Sequence, residues 1–198
     1  LTRLIIGSEG TLAVITEATL KLTPLPHAVA GITAHYRDIA SCAEAITAIM
    51  AQPHTPSALE FLDNASLDLI RGRNPGMLPQ DTHAMLMIEV DGATSEIAEA
   101  RLAILQACRN EGLIGAEAVA DSKALWAARK ALSPLLRDIA PKKINEDVVV
   151  PVSRLPELLQ GLGELSRKYQ VANANFGHAG NGNIHVNLLV DPDDPAQL

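Results

Sequence analysis

The chain switches hydrophobic period at regular intervals, and this alternation constrains its fold more than any other feature. From residue 28 onward, short stretches with apolar residues at every second position or in continuous runs are followed by longer ones with apolar residues three and four apart. The first pattern is that of a strand, the second that of a helix with one buried face. "AVAGITAHY" (28–36), "SALEFLD" (57–63), "HAMLMIEVD" (83–91), "LIGAEAVA" (113–120) and "INEDVVVP" (144–151) read as strands. Helices are predicted over 38–52, 64–71, 95–111, 122–140 and 154–168. In 38–52, for example, Ile39, Cys42, Ala43, Ile46, Ile49 and Met50 form one apolar stripe. The pattern closes on two strands, "VANANFG" and "NIHVNLLV", joined by "HAGNG". Asp121 and Ser153 stand where side-chain N-caps belong, and Pro134 is expected to kink or split its helix.

Alternating strands and helices suit a parallel doubly wound sheet. Two features argue against one. Most strands carry polar residues on one face, as antiparallel sheets do, and no strand runs through G-x-G-x-x-G into a helix. The expected fold class is therefore α+β: an antiparallel sheet with helices packed on one face.

Ahead of this region, "LAVITEATLKL" (12–22) alternates and reads as a half-buried strand that "TPLP" stops, because proline cannot continue a ladder. A domain boundary is placed near residues 23–27. The opening "LTRLIIGSEG" and the closing "DPDDPAQL" read as cut ends, so a fragment of a larger protein is expected.

Bulk properties exclude some functions. A net charge of −7 argues against a broad nucleic-acid surface. Cys42 and Cys108 fall on apolar helix faces and read as two buried thiols, not a disulfide framework. No apolar run approaches the ~18 residues of a membrane span, and the expected location is cytoplasmic.

Three places hold candidate chemistry. In "FGHAGNGNIHVN", Asn181–Gly182 is a strong hairpin signal, so His178 and His185 are expected to meet across the turn. His185 and Asn187 share a strand face, with Ile184, Val186 and Leu188 on the other. Two imidazoles suit a divalent transition metal such as zinc, manganese or iron. A catalytic zinc normally takes three protein ligands, and the alternative is a tight turn whose histidines bond to backbone. In "GSEGTL" (7–12), backbone N–H groups between two apolar strands form either an anion-binding nest or a plain turn. Arg129, Ser133 and Arg137 are four apart and line one helix face if Pro134 permits. Residues 129 and 137 lie about 12 Å apart along a helix, so they cannot both grip one carboxylate. Arg129, following "LW", is the candidate fork for a carboxylate. A solvated basic helix face is the other reading.

Taken together, "GSEGTLAVITEATLKLTPLP", "LWAARKALSPLL", "INEDVVVP" and "FGHAGNGNIHVN" resemble the vanillyl-alcohol-oxidase type of FAD enzymes, in its D-2-hydroxyacid dehydrogenase branch. That branch includes D-lactate dehydrogenases, the glycolate oxidase FAD subunit and D-2-hydroxyglutarate dehydrogenase. The resemblance implies that residues 1–26 end an FAD-binding domain and that 27–198 form a ferredoxin-like substrate (cap) domain, truncated at its C-terminus. It implies FAD contacts at Ser8, Glu9 and Gly10, a substrate carboxylate on Arg129 with Ser133 beside it, and Asn187 next to the substrate. It also implies His178 and His185 as ligands of a divalent metal, with zinc the first choice. Ala13 and Asn181 depart from the family's usual glycine and aspartate. No catalytic base is identified; in relatives it lies in a Glu-His-Gly segment, expected beyond residue 198. The fragment alone is expected to be inactive. Implied partners are a small 2-hydroxy acid, an electron acceptor and optionally a second copy in a homodimer. Two alternatives stand beside this reading: a non-enzymatic metal- or ligand-binding module, and a non-redox flavoenzyme like the ether-lipid synthases.

Overall fold

A computed structural model describes residues 1–119 and 123–195. In chain order its elements are α1 (Thr2–Ile5), β1 (Ala28–Tyr36), α2 (Ile39–Ala51), β2 (Ala58–Asp63), α3 (Asn64–Arg73), β3 (Ala84–Gly92), α4 (Ile97–Ala107), β4 (Leu113–Val119), α5 (Lys123–Leu135), β5 (Lys142–Val149), α6 (Leu155–Tyr169), β6 (Ala172–His178) and β7 (Asn183–Val190). Seven strands form one sheet in the order β4-β1-β3-β2-β6-β7-β5, and every neighbouring pair is antiparallel. The expected α+β antiparallel architecture is what forms. The first four strands with α2 and α4 make the β-α-β-β-α-β unit of a ferredoxin-like fold. Helix α6 then leads from β5 to β6, and β7 inserts between those two strands.

The period-2 patterns place two different layers on the sheet. Ile32, Ala34 and Tyr36 of β1, Leu59 and Phe61 of β2, Leu86 and Ile88 of β3 and Ile184 and Val186 of β7 share one aliphatic core. Helices α2, α4 and α6 seal it with Cys42, Ile46, Ile49, Ile104, Leu155 and Leu159. Burying each large side chain there stabilises the fold by roughly 1.5–3 kcal/mol before entropy is counted. The hydroxyl of buried Tyr36 donates to the carbonyl of Cys108 at 2.9 Å. Both cysteines are free and buried, and burial pushes their thiols up, Cys108 to about 11.

The opposite face carries a second, smaller layer, which goes beyond the expected single one. Leu62, Met85, Met87, Ala174, Phe176 and Leu189 meet Leu67 and Ile70 of α3 and Leu132 of α5 there. Pro134 neither splits nor stops α5: the helix runs one residue past it, then tightens into a 3-10 turn at Leu136–Asp138.

Three further expectations are corrected. Residues 12–22 form no strand, and Leu12, Val14, Leu20 and Leu22 are exposed. Alternation supplies a face, but a strand exists only by pairing, and no described strand pairs with this one. The "GSEGTL" turn accordingly follows the short helix α1 and has no strand on either side. Ser153 is not the cap of α6: a 3-10 turn at Val152–Arg154 leads in, and Arg154 holds the N-cap position without a side-chain bond. The cap expected at Asp121 lies outside the described residues.

Candidate functional site

The site is built on the sheet face opposite the aliphatic core. Because strands alternate, Glu60 points away from the layer that takes Leu59 and Phe61. Strand β6 contributes Phe176 and His178 to this face, β7 contributes His185 and Asn187, and β5 contributes Lys143 and Asp147. Register sets who meets whom: Glu60 is the cross-strand partner of His178, Phe176 of His185, and Asp147 of His185 from the other side.

The β6–β7 hairpin that carries both histidines is tightly held. Its tip is a 3-10 turn, Ala179–Asn181, ending at Gly182 with φ +70°. The amide of Val150 donates to the carbonyl of Gly182 at 3.0 Å. A Cβ at Gly182 would lie 1.8 Å from the carbonyl oxygen of Val150, so only glycine allows β5 to close over the turn.

The turn brings the imidazoles together, with ring centroids 5.2 Å apart and planes at 82°. Neither reading of the hairpin anticipated what holds them: each ring turns its Nδ1 to a carboxylate, His178 to Glu60 and His185 to Asp147. A carboxylate only accepts, so in the neutral rings Nδ1 carries the proton and Nε2 keeps its lone pair. This is the arrangement that orients metal-ligating histidines.

Helix α5 lies across this face on a polar stripe. Trp126 Nε1 donates to Glu89 on β3 at 3.1 Å, Arg129 Nε donates to Glu60 on β2 at 2.8 Å, and Lys143 Nζ on β5 donates to Ser133 Oγ at 2.8 Å. Spacings of three and four place these helix residues on one face, tied to three strands. The Arg129 guanidinium also stacks on Phe176, 4.4 Å from the ring centroid. Its side chain is 12% exposed and that of Glu60 only 5%. Arg137, exposed in the 3-10 turn, lies outside this cluster; it lines a separate recess of about 270 Å³ with Ser133, Pro134 and Lys143.

Asn187 is fully buried. Its Nδ2 donates to the carbonyls of Ala174 (2.9 Å) and His185 (3.1 Å), which fixes the amide orientation because carbonyls only accept. Its Oδ1 has no partner among the described residues. An orphaned buried acceptor costs about 1–3 kcal/mol, so a ligand's donor reaching this atom would offset that cost; Asn183 Oδ1, on the same strand face, likewise has no partner among the described residues.

The structure thus brings together His178, His185 and Arg129 in one cluster, places Asn187 on the same face, and ties Ser133 to its edge. Ser8, Glu9 and Gly10 stand apart in character: their turn is held by local hydrogen bonds, with Glu9 at φ 50° and Gly10 at φ 79°. Sequence reasoning missed Glu60, Asp147 and Phe176. Glu60 had left a signal, an acid flanked by Leu59 and Phe61 in "ALEFLD".

The donor set fits a metal in part. Each ring gives its Nδ1 to a carboxylate, which leaves Nε2 as the nitrogen that could face a cation. Among the described residues, however, no three His, Cys, Asp or Glu side chains converge to hold an ion. The two histidines fit as part of a ligand set.

Comparison with known proteins adds the lineage. The family described as FAD linked oxidases, C-terminal domain, matches residues 25–198. The chain belongs to this family. Family relatives include the glycolate oxidase subunit GlcD of Bacillus subtilis (strain 168), 34% identical over 96% of this chain and 41% of its own length. A D-lactate dehydrogenase of Anaerostipes hadrus is 31% identical over 94% of this chain and 41% of its own. The chain therefore spans about two fifths of the length of these curated relatives. Among solved structures, alkyldihydroxyacetonephosphate synthase superposes with a TM-score of 0.69 at 18% identity, over 94% of this chain and 41% of that one; at that identity the likeness concerns the fold alone. No helix among the described residues is long and apolar enough to cross a membrane.

Proposed function

We propose that this chain is the substrate domain of an FAD-dependent D-2-hydroxyacid dehydrogenase, acting on glycolate, D-lactate or D-2-hydroxyglutarate. The observation that carries the reading is the convergence of Arg129, His178 and His185 on one sheet face, each oriented by a neighbour. Family membership and the relatives' printed activities support it.

The proposed roles draw on the family resemblance together with this geometry. Arg129 donates its Nε to Glu60 and its guanidinium lies over Phe176; its terminal N–H groups would hold the substrate carboxylate in two parallel hydrogen bonds. Asn187 Oδ1 takes a donor from the bound acid. Fixing both points orients the α-carbon, the step that proximity rewards most. His178 and His185 would hold a divalent cation through Nε2, and that ion would supply Lewis acidity at the substrate hydroxyl. FAD, when bound, supplies the two-electron acceptor; Ser8, Glu9 and Gly10 are the residues of this chain proposed to touch it. No residue of this chain is assigned as the base. The implied partners are a small 2-hydroxy acid and an electron acceptor.

The test is dye reduction by the intact flavoprotein with glycolate, D-lactate and D-2-hydroxyglutarate. Turnover of at least one of these three acids is expected. Bound FAD with no net dye reduction by any acid would overturn the reading in favour of a non-redox flavoenzyme, and absence of FAD would favour a binding module.

A further inference from the structure

We propose that Glu60 is a positioning residue that sets Arg129 and His178 together, so that the acid anchor and the imidazole pair are aligned by one buried carboxylate. The inference rests on the functional reading above. The two oxygens serve different partners. Oε2 accepts from Arg129 Nε at 2.8 Å, and Oε1 faces His178 Nδ1. Backbone pairing enforces the second contact, because Glu60 and His178 are direct partners in the short β2–β6 register. The first is enforced from above, where α5 is also tied down by Trp126 on Glu89. With its side chain 5% exposed, Glu60 has little water to turn to. It therefore holds the guanidinium plane over Phe176 and the Nε2 lone pair of His178 outward at the same time. Asp147, the matching carboxylate on His185, is 56% exposed in its side chain and has one side-chain partner among the described residues. The coupling is specific to Glu60.

Three measurements test this. In the wild-type chain at alkaline pH, imidazole ¹⁵N spectra are expected to show His178 as the Nδ1–H tautomer; the Nε2–H tautomer would overturn the proposal whatever any variant does. In Glu60→Gln, which keeps the shape and removes the charge, His178 is expected to become a tautomer mixture, and Zn²⁺ titrated into the chain is expected to bind about ten- to a hundredfold more weakly. A purely structural role would lower the unfolding midpoint and leave the tautomer unchanged, and that result would also overturn it. In the intact flavoprotein, Glu60→Gln is expected to raise KM for the acid and lower kcat together, with Glu60→Asp recovering part of the kcat loss. Wild-type protein that binds no Zn²⁺ and oxidises no 2-hydroxy acid would remove the functional reading, while the tautomer would still decide whether Glu60 orients the ring.

Discussion

Strand β2 serves two faces that follow opposite rules. Leu59 and Phe61 enter an aliphatic layer sealed by α2, α4 and α6, where shape and apolar area decide stability. Glu60, between them, meets Arg129 and His178, where charge pairing and hydrogen-bond direction decide what the face can do. The first face is a layer of apolar side chains. The other keeps a buried acceptor, Asn187 Oδ1, without a partner among the described residues. The difference teaches that the fold and the site are built from the same strands with little energetic overlap, so substitutions one residue apart should separate stability from chemistry.

The largest expected effect is on the apolar face. Phe61→Ala should cost about 3–5 kcal/mol in urea unfolding while leaving KM for the acid near wild type in the intact protein. A large rise in KM would break the separation.

Next comes Arg129→Met. It should lower kcat/KM for a 2-hydroxy acid by ~100-fold or more, the scale of a lost positioning contact. It should also destabilise the chain, because the buried Glu60 carboxylate loses its guanidinium and keeps only His178. Unchanged kcat/KM would remove Arg129 from the site.

The smallest effect is a pH dependence. Burial holds His35 below the usual imidazole range, with Glu117 opposing in part. The native state then binds fewer protons than the unfolded chain below pH 6.5, so this share of stability is complete above pH 6.5 and is lost as pH falls. Asp63 runs the other way. Burial pushes its carboxyl up to about 6 against hydrogen bonds from Ser66 and Asn175, so its share is complete below pH 3.8 and is lost as pH rises through about 6. In wild type the two oppose each other between these limits. His35→Met should leave the Asp63 trend alone, and unfolding free energy should then fall steadily from about pH 4 to 6. A variant that still gains stability over that range would refute the assignment to His35.

Most of the fold was legible because its signals are local. The strand predicted over 28–36 is β1 as observed, and most other element boundaries moved by one to three residues. Residues 12–22 failed for a physical reason: their alternation was real, but pairing is a property of two segments, and one segment cannot declare it. The second helical layer was missed for the same reason, since "LWAARKALSPLL" shows an amphipathic helix but not which side of a sheet will take it.

At the site, the side chains that carry recognisable motifs were legible, namely His178, His185, Arg129 and Asn187. Those that orient them were not. Glu60 and His178 are 118 positions apart, and Asp147 and His185 are 38 apart. The sequence by itself determined which segments alternate, where the hairpin turns and which residues bear transferable chemistry, because period, glycine and side-chain type are properties of short stretches. Tertiary structure alone decided that β2 lies beside β6, that α5 crosses the polar face, and that a buried carboxylate joins an arginine to a histidine, because strand register and helix docking are settled by the free energy of the whole packed layer.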